Sequence, residues 1–406
     1  MPSVCFCFEL HQPKRLKKGF SLFNSIKKTS DLERFYFDSE LDRKILHRVA
    51  QKCYYPATEI LINAIEEHKK KFRFSMSLTG VFLEQCERYE KDFVELLREL
   101  NGTGCVEFLA ETYYHSLASI YPDYGEFEEQ VEMHEEAIKS IIGARPRTFR
   151  NTELIYNNSI AKKVWEMGYE TILTEGVDRV LDWRSPNYVY RAKTADIKVL
   201  MRNYRLSDDI AFRFSSRNWE EYPLFADKYA YWLEKTEGDV INIFIDYETF
   251  GEHHWKESGI HEFLRYLPSE ILKKNNLETV TVSEATERYE ARDVIDVFEI
   301  GETISWADTE RDLSAWLGNF MQKSAFEEIK SVETAVKTVG DKEIVDIWRN
   351  LQTSDNFYYM STKGLGPGEV HSYFSHFSTP YQAYVTFMNV LSDLKARIIM
   401  RHRGIL

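Results

Sequence analysis

The chain has few cysteines, no excess of basic charge and no long apolar run, and each shortage narrows the field. Its cysteines, Cys5, Cys7, Cys53, Cys86 and Cys105, are odd in number and include no C-x-x-C pair. Cys5 and Cys7 alternate with Phe6 and Phe8, so they share one strand face, too small a set for zinc. They read as buried free thiols in a reducing compartment. The net charge is −13, whereas nucleic acid or an anionic membrane demands a basic footprint. Short basic blocks such as Lys14-Arg15-Leu16-Lys17-Lys18 and Lys69-Lys70-Lys71 read as solvated surface. The N-terminal apolar run is short and basic residues follow it, unlike a signal peptide. No segment approaches the roughly 18 apolar residues of a membrane span. A cytoplasmic, soluble protein is expected, with neither nucleic acid nor membrane as partner.

Aromatic residues, by contrast, are plentiful: 24 Tyr, 26 Phe and 8 Trp among 406 residues. Part of this is core. Flat rings also bury the apolar C–H faces of sugars while leaving hydroxyls to hydrogen-bond. An acidic, aromatic-rich chain fits a neutral polyhydroxylated ligand better than a phosphate.

The first three-quarters of the chain alternates apolar runs with helical patterns. Strands are expected at Val4–Leu10, Phe72–Leu78, Val106–Ala110, Arg147–Arg150, Thr171–Thr174, Lys198–Met201, Val240–Ile245 and Thr279–Val282. Helical spacing covers Ser39–Lys70, Phe82–Leu100, Phe127–Ile142, Ser159–Met167, Glu220–Thr236 and Ile260–Leu272. This alternation predicts a parallel α/β fold, a barrel of about seven strands that need not close. After about residue 290 long helical stretches take over, at Asp312–Lys337, Lys342–Asp355 and Pro380–Arg401, with a Gly-rich loop at Lys363–Gly368. The expected division is therefore a catalytic barrel over 1–290 and a helical domain over 291–406.

In a parallel barrel, chemistry sits where strands end. The stretch Val240–Trp255 illustrates this: an apolar, β-branched run gives way at Asp246 to Tyr247, Glu248, Gly251, Glu252, His253, His254 and Trp255. Other strand ends carry His11, Glu111, His115, Glu153 and Glu175. Each has a plain structural use as well, as a helix N-cap or loop hydrogen bond. Two converging carboxylates suit glycosidic cleavage, one ionised to attack, one protonated to assist departure. The histidines offer a metal reading, but only Glu252-His253-His254 approaches ligand spacing, and adjacent histidines point in different directions.

These residues resemble glycoside hydrolase family 57, of the α-amylase type, over nearly the whole chain. His11-Gln12-Pro13 follows the first strand. Gly104 to His115 matches the second region, Phe149 to Tyr156 the third, Asp246 to His253 the fourth, and Trp306 to Ala325 the fifth. The resemblance implies an α/β fold, an incomplete (β/α)7 barrel with an appended C-terminal helical bundle that completes the active-site cleft. It implies Glu153 as nucleophile and Asp246 as acid/base in a retaining α-glucan hydrolase, with an α-glucan or malto-oligosaccharide substrate, no metal and no cofactor. His11, His115, Glu111 and Asp308 become candidate contacts to sugar, and Trp255 and Trp306 candidate stacking rings. Glu248 and Glu252 rival Asp246 as the acid, and Trp316, beside Leu313 and Leu317, reads as core. A 4-α-glucanotransferase or glycogen branching enzyme uses the same carboxylates. A non-catalytic glucan-binding protein is the reading from another class.

Overall fold

The first apolar run forms strand β1 (Ser3–Leu10), every residue of which is buried. Its alternation sorts the side chains: Val4, Phe6, Phe8 and Leu10 join one apolar cluster, while Cys5 and Cys7 join a second. A computed structural model describes residues 2–22, 31–364 and 374–403 of the protein. The part of the Gly-rich loop from residue 365 to 368 lies outside the described residues.

The other strands are β2 (Phe74–Leu78), β3 (Val106–Leu109), β4 (Phe149–Arg150), β5 (Thr171–Glu175), β6 (Val189–Ala192), β7 (Lys198–Arg202), β8 (Val240–Asp246), β9 (Glu278–Thr279) and β10 (Val294–Ile295). All pair in parallel except β6 with β7. The barrel wall runs β4-β5-β7-β8-β1-β2-β3. Two seams in it are thin. Between β3 and β4 a single bridge joins Ala110 to Phe149. Between β7 and β8 the only ladder pair among the described residues is Arg202 with Asn242.

The second seam is thin because β6 wedges into it. Residues 198–200 of β7 pair with β6, and Asn187, just before β6, accepts hydrogen bonds from the N–H groups of Asp239 and Val240. Above the wedge, side chains replace the ladder. Arg202 Nε donates to the Phe244 carbonyl at 2.7 Å, and the Phe244 N–H donates to Ser207 Oγ at 3.2 Å. The fold is an incomplete (β/α)7 barrel.

Helices Tyr55–Glu67, Ala226–Lys235 and Ile260–Leu272 pack side by side outside the wall. The expected helix over Ser39–Lys70 is interrupted by a π-turn at Ala50–Tyr54, just ahead of Pro56, which has no N–H to offer the carbonyl of Lys52. The helix expected over Phe82–Leu100 breaks at Glu90.

Two compact units emerge. The first comprises residues 1–11, 45–113 and 128–306; the second comprises 12–44, 114–127 and 307–406. The second is helical, with Trp316, Trp348, Phe357 and Phe387 in its core. Trp348 Nε1 donates to the Ile329 carbonyl at 2.9 Å. The helix expected over Asp312–Lys337 is realised as Ser314–Leu317, Phe320–Ser331 and Glu333–Val339. Asn319 and Gln322 form a reciprocal capping box that starts a new helix there. Among the described residues no helix is long and apolar enough to cross a membrane.

Candidate active site

Strand pairing explains why charge collects at one end of the barrel. Glu9 pairs with Ser77 on one side and Asp246 on the other, and Glu175 pairs with Arg202. In-register partners of a parallel sheet point to the same face, so the inward rows that begin as Cys5-Cys7 and Asn242-Phe244 end in Glu9 and Asp246.

Two buried arginines offset part of this charge. Arg150, ending β4, donates to Glu9 and, at 3.2 Å, to Glu111. Arg202, ending β7, reaches Glu175 at 3.0 Å and Asp208 at 2.6 Å. Burial opposes the charge on Arg150, but the carboxylates of Glu9, Glu111 and Glu153 outweigh it and hold the group above its ordinary pKa. For Arg202, burial is likewise outweighed by Glu175 and Asp208. Neither arginine was singled out from sequence. The available signal was a charged residue at an inward position of an apolar strand.

Glu153 stands just beyond β4 in a tight turn, with left-handed backbone angles of φ 57° and ψ 22°. Such angles strain a residue other than glycine and persist where the surroundings enforce them. Here the enforcing segment is residues 304–306, which runs antiparallel to the turn. Tyr156 and Ile304 exchange two backbone hydrogen bonds of 3.0 Å, and the Trp306 N–H donates to the Glu153 carbonyl at 3.2 Å. The Trp306 indole N–H then donates to Glu153 Oε2 at 2.7 Å. The same indole meets Phe244 edge-on at 5.2 Å. Phe244 lies two residues before Asp246 on the same face of β8, so a continuous set of contacts runs from Glu153 through Trp306 and Phe244 to the strand that ends in Asp246.

The rival acids have other partners. Glu248 accepts a hydrogen bond from Tyr54, whose ring stacks on Tyr247 in the outer apolar cluster. Glu252 is paired with Arg48 at 2.8 Å and Lys52 at 3.6 Å.

The other candidates are placed as follows. His11 Nδ1 lies 2.9 Å from the Thr79 hydroxyl, and Thr79 caps helix Gly80–Tyr89. Glu111 is fully buried, with Ser77 donating to Oε1 at 2.7 Å and Arg150 to Oε2. Trp255 is 65% exposed, with the Lys52 ammonium 5.7 Å from its ring. His115 and Asp308 belong to the second unit. His115 is buried, with φ 51°, and its carbonyl accepts from the Ser354 N–H at 2.8 Å. Asp308 is 3.4 Å from Lys363 Nζ.

Sequence reasoning also passed over His134, which is buried beneath Glu111. Its Nδ1 accepts from the Glu111 N–H at 3.3 Å, so Nε2 carries the proton donated to the Leu78 carbonyl at 2.7 Å. Burial pushes its pKa down, consistent with this neutral tautomer. Among the described residues no group of three or more His, Cys, Asp and Glu side chains is arranged to hold a metal ion.

The chain is 50% identical over 400 residues to a protein of Methanocaldococcus jannaschii named "Putative alpha-amylase", covering 97% of this chain and 84% of that one. Its fold resembles that of the family 57 branching enzyme of Pyrococcus horikoshii, with a TM-score of 0.68, 16% identity, and coverage of 100% and 92% of the two chains. It also resembles the 4-alpha-glucanotransferase of Thermococcus litoralis, with a TM-score of 0.62 and 17% identity. There, 88% of this chain covers only 56% of the glucanotransferase. The class is therefore clear: the protein is a glycoside hydrolase. Residues 5–298 match Glycosyl hydrolase family 57, and the chain belongs to that family.

Proposed function

We propose that the protein is a retaining α-glucan hydrolase that cleaves α-1,4-glucosidic bonds by double displacement. Glu153 is the nucleophile. One of its oxygens attacks the anomeric carbon as the bond from that carbon to the leaving oxygen breaks. Asp246 gives its proton to that oxygen, and a covalent β-glucosyl ester on Glu153 results. Asp246 then takes a proton from water, whose oxygen displaces the ester and regenerates the Glu153 carboxylate. The observation that carries this reading is the fixed Glu153 turn, held through Trp306 to the strand that ends in Asp246. In this reading His11 serves the sugar and Trp255 offers an exposed ring for stacking, while the buried Glu111 holds Arg150 instead of a sugar hydroxyl.

Incubation with maltoheptaose, followed by separation of the products, tests the reading. Hydrolysis yields shorter sugars only. The second reading, glucan transfer, is favoured by the names of the branching enzyme and glucanotransferase that share the fold, and it yields longer sugars as well. Unchanged maltoheptaose with binding intact would instead mark a glucan-binding protein. Glu153→Gln is expected to lower kcat by several orders of magnitude while binding persists.

A further inference from the structure

We propose that Trp306 is a positioning residue for Glu153, acting through its indole N–H rather than as a stacking surface for sugar. The proposal rests on the reading of Glu153 as nucleophile. The contact is direct: Nε1 donates to Oε2 at 2.7 Å. Donation to one carboxylate oxygen restrains the orientation of the group. It also favours the ionised form, which is both the attacking species and the group released when water breaks the glucosyl ester.

The indole is itself held in place. Its backbone N–H is bonded to the Glu153 carbonyl. The guanidinium carbons of Arg150 and Arg202 lie 5.9 Å and 5.6 Å from its ring centre, and Phe244 meets it at an interplanar angle of 70°. Cations over an aromatic face are held by the ring quadrupole, so protein groups already use much of the ring that a glucose would need. The two cations are in turn anchored by Glu9, Glu111, Glu175 and Asp208. The network thus connects β1, β4, β5 and β7 to a single oxygen of Glu153.

The test uses the full-length enzyme with Trp306→Phe, and a second variant in which 3-benzothienylalanine replaces Trp306, keeping the bicyclic shape but losing the N–H. Thermal unfolding checks that each folds, and the sulfur-containing ring keeps the question answerable if Trp306→Phe does not. Initial rates on maltoheptaose are measured across pH, with Glu153→Gln alongside. Loss of a hydrogen bond to a charged group is expected to lower kcat about ten- to a hundredfold in both variants, with KM nearly unchanged. The acidic limb of the kcat profile should move to higher pH, because the ionised carboxylate loses a donor. A raised KM with kcat intact would mark a stacking residue and overturn the proposal, as would wild-type kinetics in the benzothienyl variant. If Glu153→Gln kept more than a tenth of the activity, the nucleophile assignment itself would fall. If Glu153→Gln were inactive and the Trp306 variants unimpaired, only the positioning role would fall.

Discussion

Glu9 and Asp246 are register partners on adjacent parallel strands, so the two carboxylates leave the sheet toward the same side. Such neighbours repel, and each raises the cost of ionising the other. Arg150 relieves this by pairing with Glu9 and Glu111 together. Arg150→Met should remove the cation that these two buried acids share and cost about 3–5 kcal/mol of stability. Arg191 offers the control: its partner Asp196 is 3.4 Å away, and its side chain is half exposed. Arg191→Met should change stability by less than about 1 kcal/mol. Urea unfolding of both variants measures the contrast. Adding Glu111→Gln to Arg150→Met should recover part of the loss, and equal costs at the two arginines would contradict this account of the buried network.

If Asp246 supplies the proton, its importance depends on how badly the leaving group needs one. Asp246→Asn should slow maltoheptaose cleavage by about 10²–10⁴-fold. It should slow the first step far less on α-glucosyl fluoride, whose fluoride departs without a proton. Azide should then accelerate turnover, because it attacks the glucosyl ester without needing a base. Glu248→Gln and Glu252→Gln, whose partners are Tyr54 and the pair Arg48 and Lys52, should leave the ratio of rates on the two substrates unchanged. A substrate-independent loss in Asp246→Asn, with no azide effect, would remove it from the acid role.

The barrel was legible because its strands are continuous apolar runs buried on both faces, a pattern that survives without any tertiary information. Strands β6 and β10 were missed. The first is four residues long with exposed Arg191 in it, and the second is two residues long. Their pairing depends on the wedge between β7 and β8, which no local pattern encodes. Long helical stretches were likewise read through their breaks at Glu90, where the backbone leaves helical angles, and at Asn319, where a capping box starts a new helix; hydrophobic spacing marks neither. At the candidate site, Asp246 was legible as the polar end of an apolar strand and Glu153 as a carboxylate three residues past a short one. The work of Arg150, Arg202 and Trp306 was not, since it arises from contacts between strands far apart in sequence.

Gly251 tests how tightly the loop after β8 is built. Its φ is +141°, and a Cβ there would lie 2.0 Å from the Lys52 carbonyl oxygen, the carbonyl whose usual helical partner is replaced by Pro56. Gly259, φ +87°, has nothing within 4 Å of the place a Cβ would occupy. Gly259→Ala should therefore cost only about 1 kcal/mol of backbone strain. Gly251→Ala combines strain with a backbone clash and should cost more than about 2 kcal/mol, with a loss of activity because Asp246 lies five residues upstream. Thermal unfolding and initial rates on the two variants compare them directly. Similar stability in the two would show that the π-turn can move aside.

His253 and His254 give the fold an acid sensitivity with a definite sign. Burial pushes His253 from its ordinary 6.5 down to about 4, with the neighbouring His254 adding to the shift. Burial also lowers His254, whose ring bonds to the Ser215 hydroxyl and to the carbonyls of Ile210 and Ala211. A histidine whose pKa is depressed by folding binds its proton more readily in the unfolded chain. Its contribution to stability is therefore present above about pH 6.5 and is lost as pH falls toward 4. His253→Gln removes one such group without removing polarity. Stability of the two proteins, measured by urea unfolding from pH 7 to 4, should diverge in slope by up to about 1.4 kcal/mol per pH unit within that window. Carboxylates titrate in both proteins and cancel in the comparison. Parallel curves would mean that His253 takes up its proton equally well in the folded and unfolded states.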